Sequence, residues 1–158
     1  MKYTNDSDKY CSNVSEFLTL MLDDQVLAIN VEKIRDVLTV HEIAFVPLVP
    51  KEVIGLINLR GKIVTALDLR SILRLDTQVD LKKCMNVVIE YNNELYSLVV
   101  DGVGEVLKLT SSEIVENPGN MSDNWKEVSI GIYPQNDNLV IIADINKMLS
   151  LVYTSKVL

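Results

Sequence analysis

Leu18, Leu20 and Leu22 alternate with their neighbours, the acidic stretch Asp23-Asp24-Gln25 interrupts them, and Leu27, Ile29 and Val31 then resume the alternation. Period-two spacing on both sides of a short polar turn predicts a half-buried β-hairpin. The same arrangement returns later, with Val87 and Ile89 before Asn92-Asn93-Glu94, and Tyr96, Leu98 and Val100 after it. Val37 to Val40 and Val106 to Leu109 read as a third strand in each region. Ile57-Asn58-Leu59 and Lys62 to Leu67, folded about Arg60-Gly61, read as a fourth and a fifth. Each region closes on an aspartate followed by helical spacing: Asp68 before Leu69, Ile72 and Leu73, and Asp144 before Ile145, Met148 and Leu149. Both acids are expected to cap a helix, where a carboxylate accepts from exposed first-turn amides and complements the helix dipole.

The likeness of the two regions holds position by position. A shift of 69 lays Leu18–Leu38 on Val87–Leu107, with ten positions apolar in both copies, five polar in both and six in disagreement. Glu32 falls on Asp101 and Asp36 on Glu105. A shift of 76 lays Ile54-Gly55-Leu56 on Ile130-Gly131-Ile132, Val64 on Val140 and Asp68 on Asp144. The change of offset falls between the blocks, where a loop absorbs insertions at small cost. This order implies an internal duplication. Five short strands in each copy suit a small β-barrel, which leaves few sheet edges exposed. The expected fold is all-β, two five-stranded barrels with short helices, the first over residues 14–80 and the second over 81–152, with flexible ends at 1–13 and 153–158. The pattern leaves open whether the barrels exchange strands.

Composition narrows the function. Fifteen Lys and Arg against 22 Asp and Glu give a net charge of −7 over 158 residues, the wrong sign for gripping a phosphate backbone, so no nucleic-acid partner is expected. The opening MKYTNDSDKYCSN lacks a secretory apolar region and no run of 18 apolar residues occurs, which points to a cytosolic chain without direct membrane insertion. Cys11 and Cys84 are distant and unaccompanied, and read as two reduced thiols. His41 is the sole histidine, so a multi-histidine metal site is excluded and no metal is expected. No phosphate-cradling GxxxxGK[ST] occurs, and Gly102-Val103-Gly104 is expected as a turn. Neither a catalytic set nor a cofactor is expected; the one enzymatic alternative, a hydrolase or small-ligand enzyme using Asp68 and Asp144, competes with their capping role.

Two features exceed what folding asks. Arg60 places a permanent cation at a tight bend where any polar turn residue would serve, while the second copy has Pro134-Gln135-Asn136-Asp137. It reads either as a turn arginine held by a carboxylate or as an exposed anchor for a partner. Val46-Pro47-Leu48-Val49-Pro50 stiffens an apolar loop whose side chains need a cover, internal or external.

With these residues in view, the chain resembles the CheW-like domain family of chemotaxis coupling proteins. The resemblance rests on Glu16-Phe17-Leu18, Ile29 to Val37, Pro47 and Pro50, Val53-Ile54-Gly55, Asn58-Leu59-Arg60-Gly61, Leu67-Asp68-Leu69-Arg70, Val99 to Val103 and Gly131. It implies two SH3-like barrels, no enzymatic activity, no cofactor, and an adaptor that links the regulatory domain of the histidine kinase CheA to the cytoplasmic tips of chemoreceptors. Its place would be cytoplasmic, at receptor arrays beneath the inner membrane. Carried over by position, the resemblance assigns Leu18, Val31, Ile34 and Val100 to a receptor groove between the barrels, and Asp36, Leu56, Arg60 and Gly61 to the kinase-facing side. The alternative is a scaffold of the same fold in another kinase pathway, for pili or motility, or a competitor for receptor binding.

Overall fold

The computed structural model describes residues 14–39, 42–75 and 80–157. Ten strands form in chain order: β1 Ser15–Leu22, β2 Gln25–Asn30, β3 Ile34–Leu38, β4 Val53–Leu59, β5 Lys62–Asp68, β6 Met85–Tyr91, β7 Glu94–Val100, β8 Gly102–Leu109, β9 Ser129–Gln135 and β10 Asn138–Ala143. Helix α1 spans Leu69–Ile72, α2 Asp123–Lys126 and α3 Ile145–Val157, so the backbone is helical through most of 153–158. Single 3-10 turns lie at Val31–Lys33 and Ser111–Glu113. The outer part of the third strand at Val40, together with His41 and Cys11, lies outside the described residues.

The strands form two five-stranded sheets ordered β8-β1-β2-β10-β9 and β3-β6-β7-β5-β4. Strands β1 to β5 belong to the first copy of the repeat and β6 to β10 to the second, so each sheet joins the hairpin of one copy to three strands of the other. The cut between residues 80 and 81 separates the copies in sequence; the sheets cross it. Registers obey the sequence offsets. Leu27 pairs with Ile141 in parallel, and the shifted pair, Tyr96 with Thr65, is found in the other sheet. Leu18 opposite Val106 likewise becomes Val87 opposite Val37.

Two glycines recur for a steric reason. A Cβ on Gly55 would stand 2.3 Å from the Ala44 carbonyl oxygen, and one on Gly131 would stand 2.8 Å from that of Val115. At both places a short bridge, Ala44 with Leu56 and Val115 with Ile132, brings a loop backbone against the strand.

The hairpins are buried more deeply than the half-buried reading expected. In β7, Leu98 and Val100 join a central cluster with Leu20, Leu27, Ile29 and Leu67, while Val99 faces Ile57, Val64 and Val88 beneath its own sheet. In β2, Leu27 and Ile29 face the central cluster, and Ala28 faces Phe17, Val140 and Ile142 under the other sheet. One strand face lines its own unit and the opposite face lines the seam, so alternation continues but both faces are covered. Each large apolar side chain fully buried this way contributes about 1.5–3 kcal/mol. Gly102 and Gly104 lie inside β8, correcting the expected turn. The physical cause is the close approach of β1: a Cβ on Gly104 would stand 2.5 Å from Thr19 Oγ1.

Candidate functional site

The β4–β5 hairpin closes through two residues, Arg60 and Gly61, both with positive φ, at 52° and 85°. That geometry matches the right-handed twist of the strands and is costly for any residue with a Cβ, so an arginine there is held against its backbone preference. The Asn58 side-chain oxygen accepts from the Gly61 amide at 3.0 Å and braces the turn. The guanidinium is carried outward, 81% exposed, and reaches Asp36 at 3.5 Å from β3. Arg60, Asp36, Leu59, Lys62 and the ion-paired Arg35 and Glu90 border a concavity of about 320 Å³. Leu56 is half-buried further along β4, and Gly61 is exposed. Asp36 and Arg60 are therefore brought together, with Gly61 beside them. Both readings of Arg60 meet here, because a cation with a carboxylate 3.5 Å away and most of its surface in water remains available to a partner.

An apolar loop runs up to this side of the molecule. Phe45 is 71% exposed, Leu48 is fully exposed at a positive φ of 62°, and Val46 and Val49 also face solvent. Ala44 ties the loop to Leu56 through backbone hydrogen bonds of 2.8 Å each way. Among the described residues the side chains of Phe45 and Leu48 are left uncovered.

The four residues assigned to the groove divide. Val31 and Val100 are the same position in the two copies: Val31 follows directly on β2, and Val100 is the last residue of β7. Val100 is fully buried and Leu18 nearly so, both in the central cluster. Val31 and Ile34 pack against that cluster while keeping part of their surface. Of the four, only Val31 and Ile34 therefore keep appreciable surface, and Leu18 and Val100 lie in the core behind them.

Arg70, the last residue of the Leu67-Asp68-Leu69-Arg70 stretch, is met in the fold by two acids distant in sequence. Buried at 6% exposure in α1, it donates to Asp23 at 2.6 Å and to Asp101 at 2.8 Å. Asp101 also accepts from the Asp23 amide at 2.7 Å. Burial opposes the charge, but the hydrogen bond to Asp23 and the fields of Asp101 and Asp23 outweigh it, and the guanidinium is held even more firmly protonated than usual. One side chain of α1 thereby fastens the β1–β2 turn of one sheet to the corner where β7 leaves the other.

Asp68 and Asp144 serve as caps. Asp68 accepts from the Arg70 amide at 3.0 Å and from the Ser71 hydroxyl at 3.0 Å, and Asp144 accepts from the Asn146 amide at 2.8 Å. Among the described residues no group of three or more His, Cys, Asp or Glu is placed to hold a metal ion, and no helix is long and apolar enough to cross a membrane. Cys84 is buried, and burial raises its thiol above the ordinary range.

The family model of the CheW-like domain matches residues 16–152. The chain is 27% identical over 136 residues to the chemotaxis protein CheW of Helicobacter pylori, covering 86% of this chain and 82% of that one. It is 30% identical over 135 residues to the chemotaxis protein CheW of Thermotoga maritima, covering 85% and 87%. Among solved structures, the scaffolding protein TtCheW from Thermoanaerobacter tengcongensis superposes with a TM-score of 0.74 at 24% identity, over 83% of this chain and 89% of that one. At that identity the structural likeness speaks for the fold alone.

Proposed function

The chain belongs to the CheW-like domain family, and from that premise we propose that it is a non-enzymatic adaptor of chemotaxis signalling, joining the CheA regulatory domain to the cytoplasmic tips of chemoreceptors. The observation that carries this reading is the presence of two partly apolar surfaces, the Arg60 rim and the Val31–Ile34 seam, on one braced body. The rim around Arg60, Asp36 and Leu56 is the kinase-facing surface, and the exposed Phe45 and Leu48 extend it. The seam at Val31 and Ile34, with Leu18 and Val100 in the core behind them, receives the receptor tip. A helical tip needs apolar side chains in a groove, and an exposed arginine beside an acid is a common anchor between proteins.

Two partners held on one body raise each other's effective concentration. Movement passes between them only where the body is stiff, and the Arg70 bonds to Asp23 and Asp101 supply such a brace between the sheets. The chain works in the cytoplasm, at receptor arrays beneath the inner membrane, without inserting into the bilayer.

Titration of the purified chain, with folding verified, against the cognate CheA regulatory domain and against a receptor-tip fragment tests the reading. Binding to both at micromolar concentration is expected, with the two partners bound simultaneously. Failure to bind either would overturn it.

A further inference from the structure

Glu52 is the residue that the fold explains least. It lies directly before β4, is 5% exposed, and its Oε1 is shielded from solvent and accepts no hydrogen bond among the described residues. Its backbone does what the architecture requires: the Glu52 carbonyl accepts from the Asp68 amide at 2.8 Å. The second copy makes the same bond, from the Asp144 amide to the Val128 carbonyl, also at 2.8 Å. The shift of 76 that aligns these bonds puts Glu52 on Val128, a fully buried member of the central cluster. Valine therefore meets the structural demand at this place. A carboxyl group there gives up hydration without a hydrogen bond in return.

Glu52 is one of the residues lining a cavity of about 360 Å³, with Ile72 and Leu151 as apolar walls. Two of the side-chain donors that line it are committed elsewhere: the Ser71 hydroxyl donates to Asp68 at 3.0 Å, and Arg74 is paired with Glu127 at 2.7 Å. Lys51 is exposed. A buried acceptor, a space large enough for several heavy atoms and neighbouring described donors that make no bond to that acceptor call for a group that brings its own positive charge and several N–H bonds.

We propose that this cavity is a binding site for an ammonium or guanidinium group, with Glu52 as its acceptor. The apolar walls of Ile72 and Leu151 suit the methylene stem that carries such a group. The site lies apart from the Arg60 rim and stands independently of the adaptor reading.

Amide NMR titrations follow Lys51, Ser71 and Ile72 in the full chain. One arm uses agmatine as a free amine and the other a capped Gly-Arg-Gly peptide as a protein side chain; acetamide is the neutral control. Saturable shifts with agmatine alone assign the site to a small amine, and shifts with the peptide alone assign it to a partner's side chain. Either response is expected to disappear in Glu52→Gln and Glu52→Val. Glu52→Val, which installs the residue of the second copy, is also expected to raise Tm by about 2–4 °C. The proposal is overturned by no saturable shift with either probe, by an equal response to acetamide, by a response that survives Glu52→Val, or by a fall in Tm for that variant.

Discussion

Two corners of the molecule occupy the same place in the repeat and are closed in opposite ways. At the first, Arg70 of α1 bonds Asp23 at 2.6 Å and Asp101 at 2.8 Å. At the second, the sequence offsets put Asn146, Asn92 and Glu32 in the corresponding positions, a set with no cation. A cavity of about 330 Å³ opens there beside Glu32, Asp144 and Ile145. The backbone register is shared, so the shared fold does not require the charges. What the charges add is a one-sided brace: Arg70 ties the two sheets at one corner, and the corresponding position at the other corner holds an asparagine.

The sharpest way to break this contrast is Arg70→Asn, which gives the first corner the residue of the second. Loss of the cation is expected to cost about 2–4 kcal/mol, somewhat under the 3–5 kcal/mol of a fully buried pair, because both aspartates keep part of their surface in water. Urea denaturation measures it. The companion change Asn146→Ala should stay within about 0.5 kcal/mol, and equal losses at the two corners would remove the asymmetry.

A second pair of substitutions tests what the copies share. Gly55→Ala and Gly131→Ala each force a methyl group against a loop carbonyl, and each should cost about 1–3 kcal/mol. A loss at only one site would show that the two bridges do not do equivalent work.

The smallest effect on stability is expected at the rim. Arg60 and Asp36 are 3.5 Å apart with the arginine mostly in water, a pair worth about 0–1 kcal/mol, so Arg60→Ala should barely move Tm. Its affinity for the kinase regulatory domain should fall about tenfold, or about 1.4 kcal/mol. Asn136→Ala, in the corresponding turn of the second copy, should leave kinase affinity unchanged and lower Tm slightly, because Asn tolerates the positive φ of 52° there better than Ala. Calorimetric titration of both variants separates the turns, and an affinity unchanged by Arg60→Ala would remove Arg60 from the kinase face.

Much of this architecture can be read from the chain, and the unreadable part has a definite cause. Alternation about Asp23-Asp24 and Asn92-Asn93 marks the hairpins, and the offsets of 69 and 76 carry the observed registers from one sheet to the other. Strand exchange is invisible to the same pattern. A hairpin buries the same faces and makes the same pairs whether the three strands beside it come from its own copy or the other, so periodicity cannot distinguish the two. Alternation shows which way Leu18 and Val100 point; it does not show that a second sheet covers them. Arg60 stood out because a cation in a tight turn is unusual locally. Arg70 did not, because its acids lie 47 and 31 residues away and only the folded chain assembles them.

The interleaving of the sheets has a further consequence. Neither half of the chain owns a complete sheet, so severing the backbone between α1 and β6 would leave two fragments that persist only by clasping each other, with a stability that falls on dilution. The tether joining the halves turns what would otherwise be an obligate pairing of two molecules into a single molecule that cannot come apart, however scarce it is.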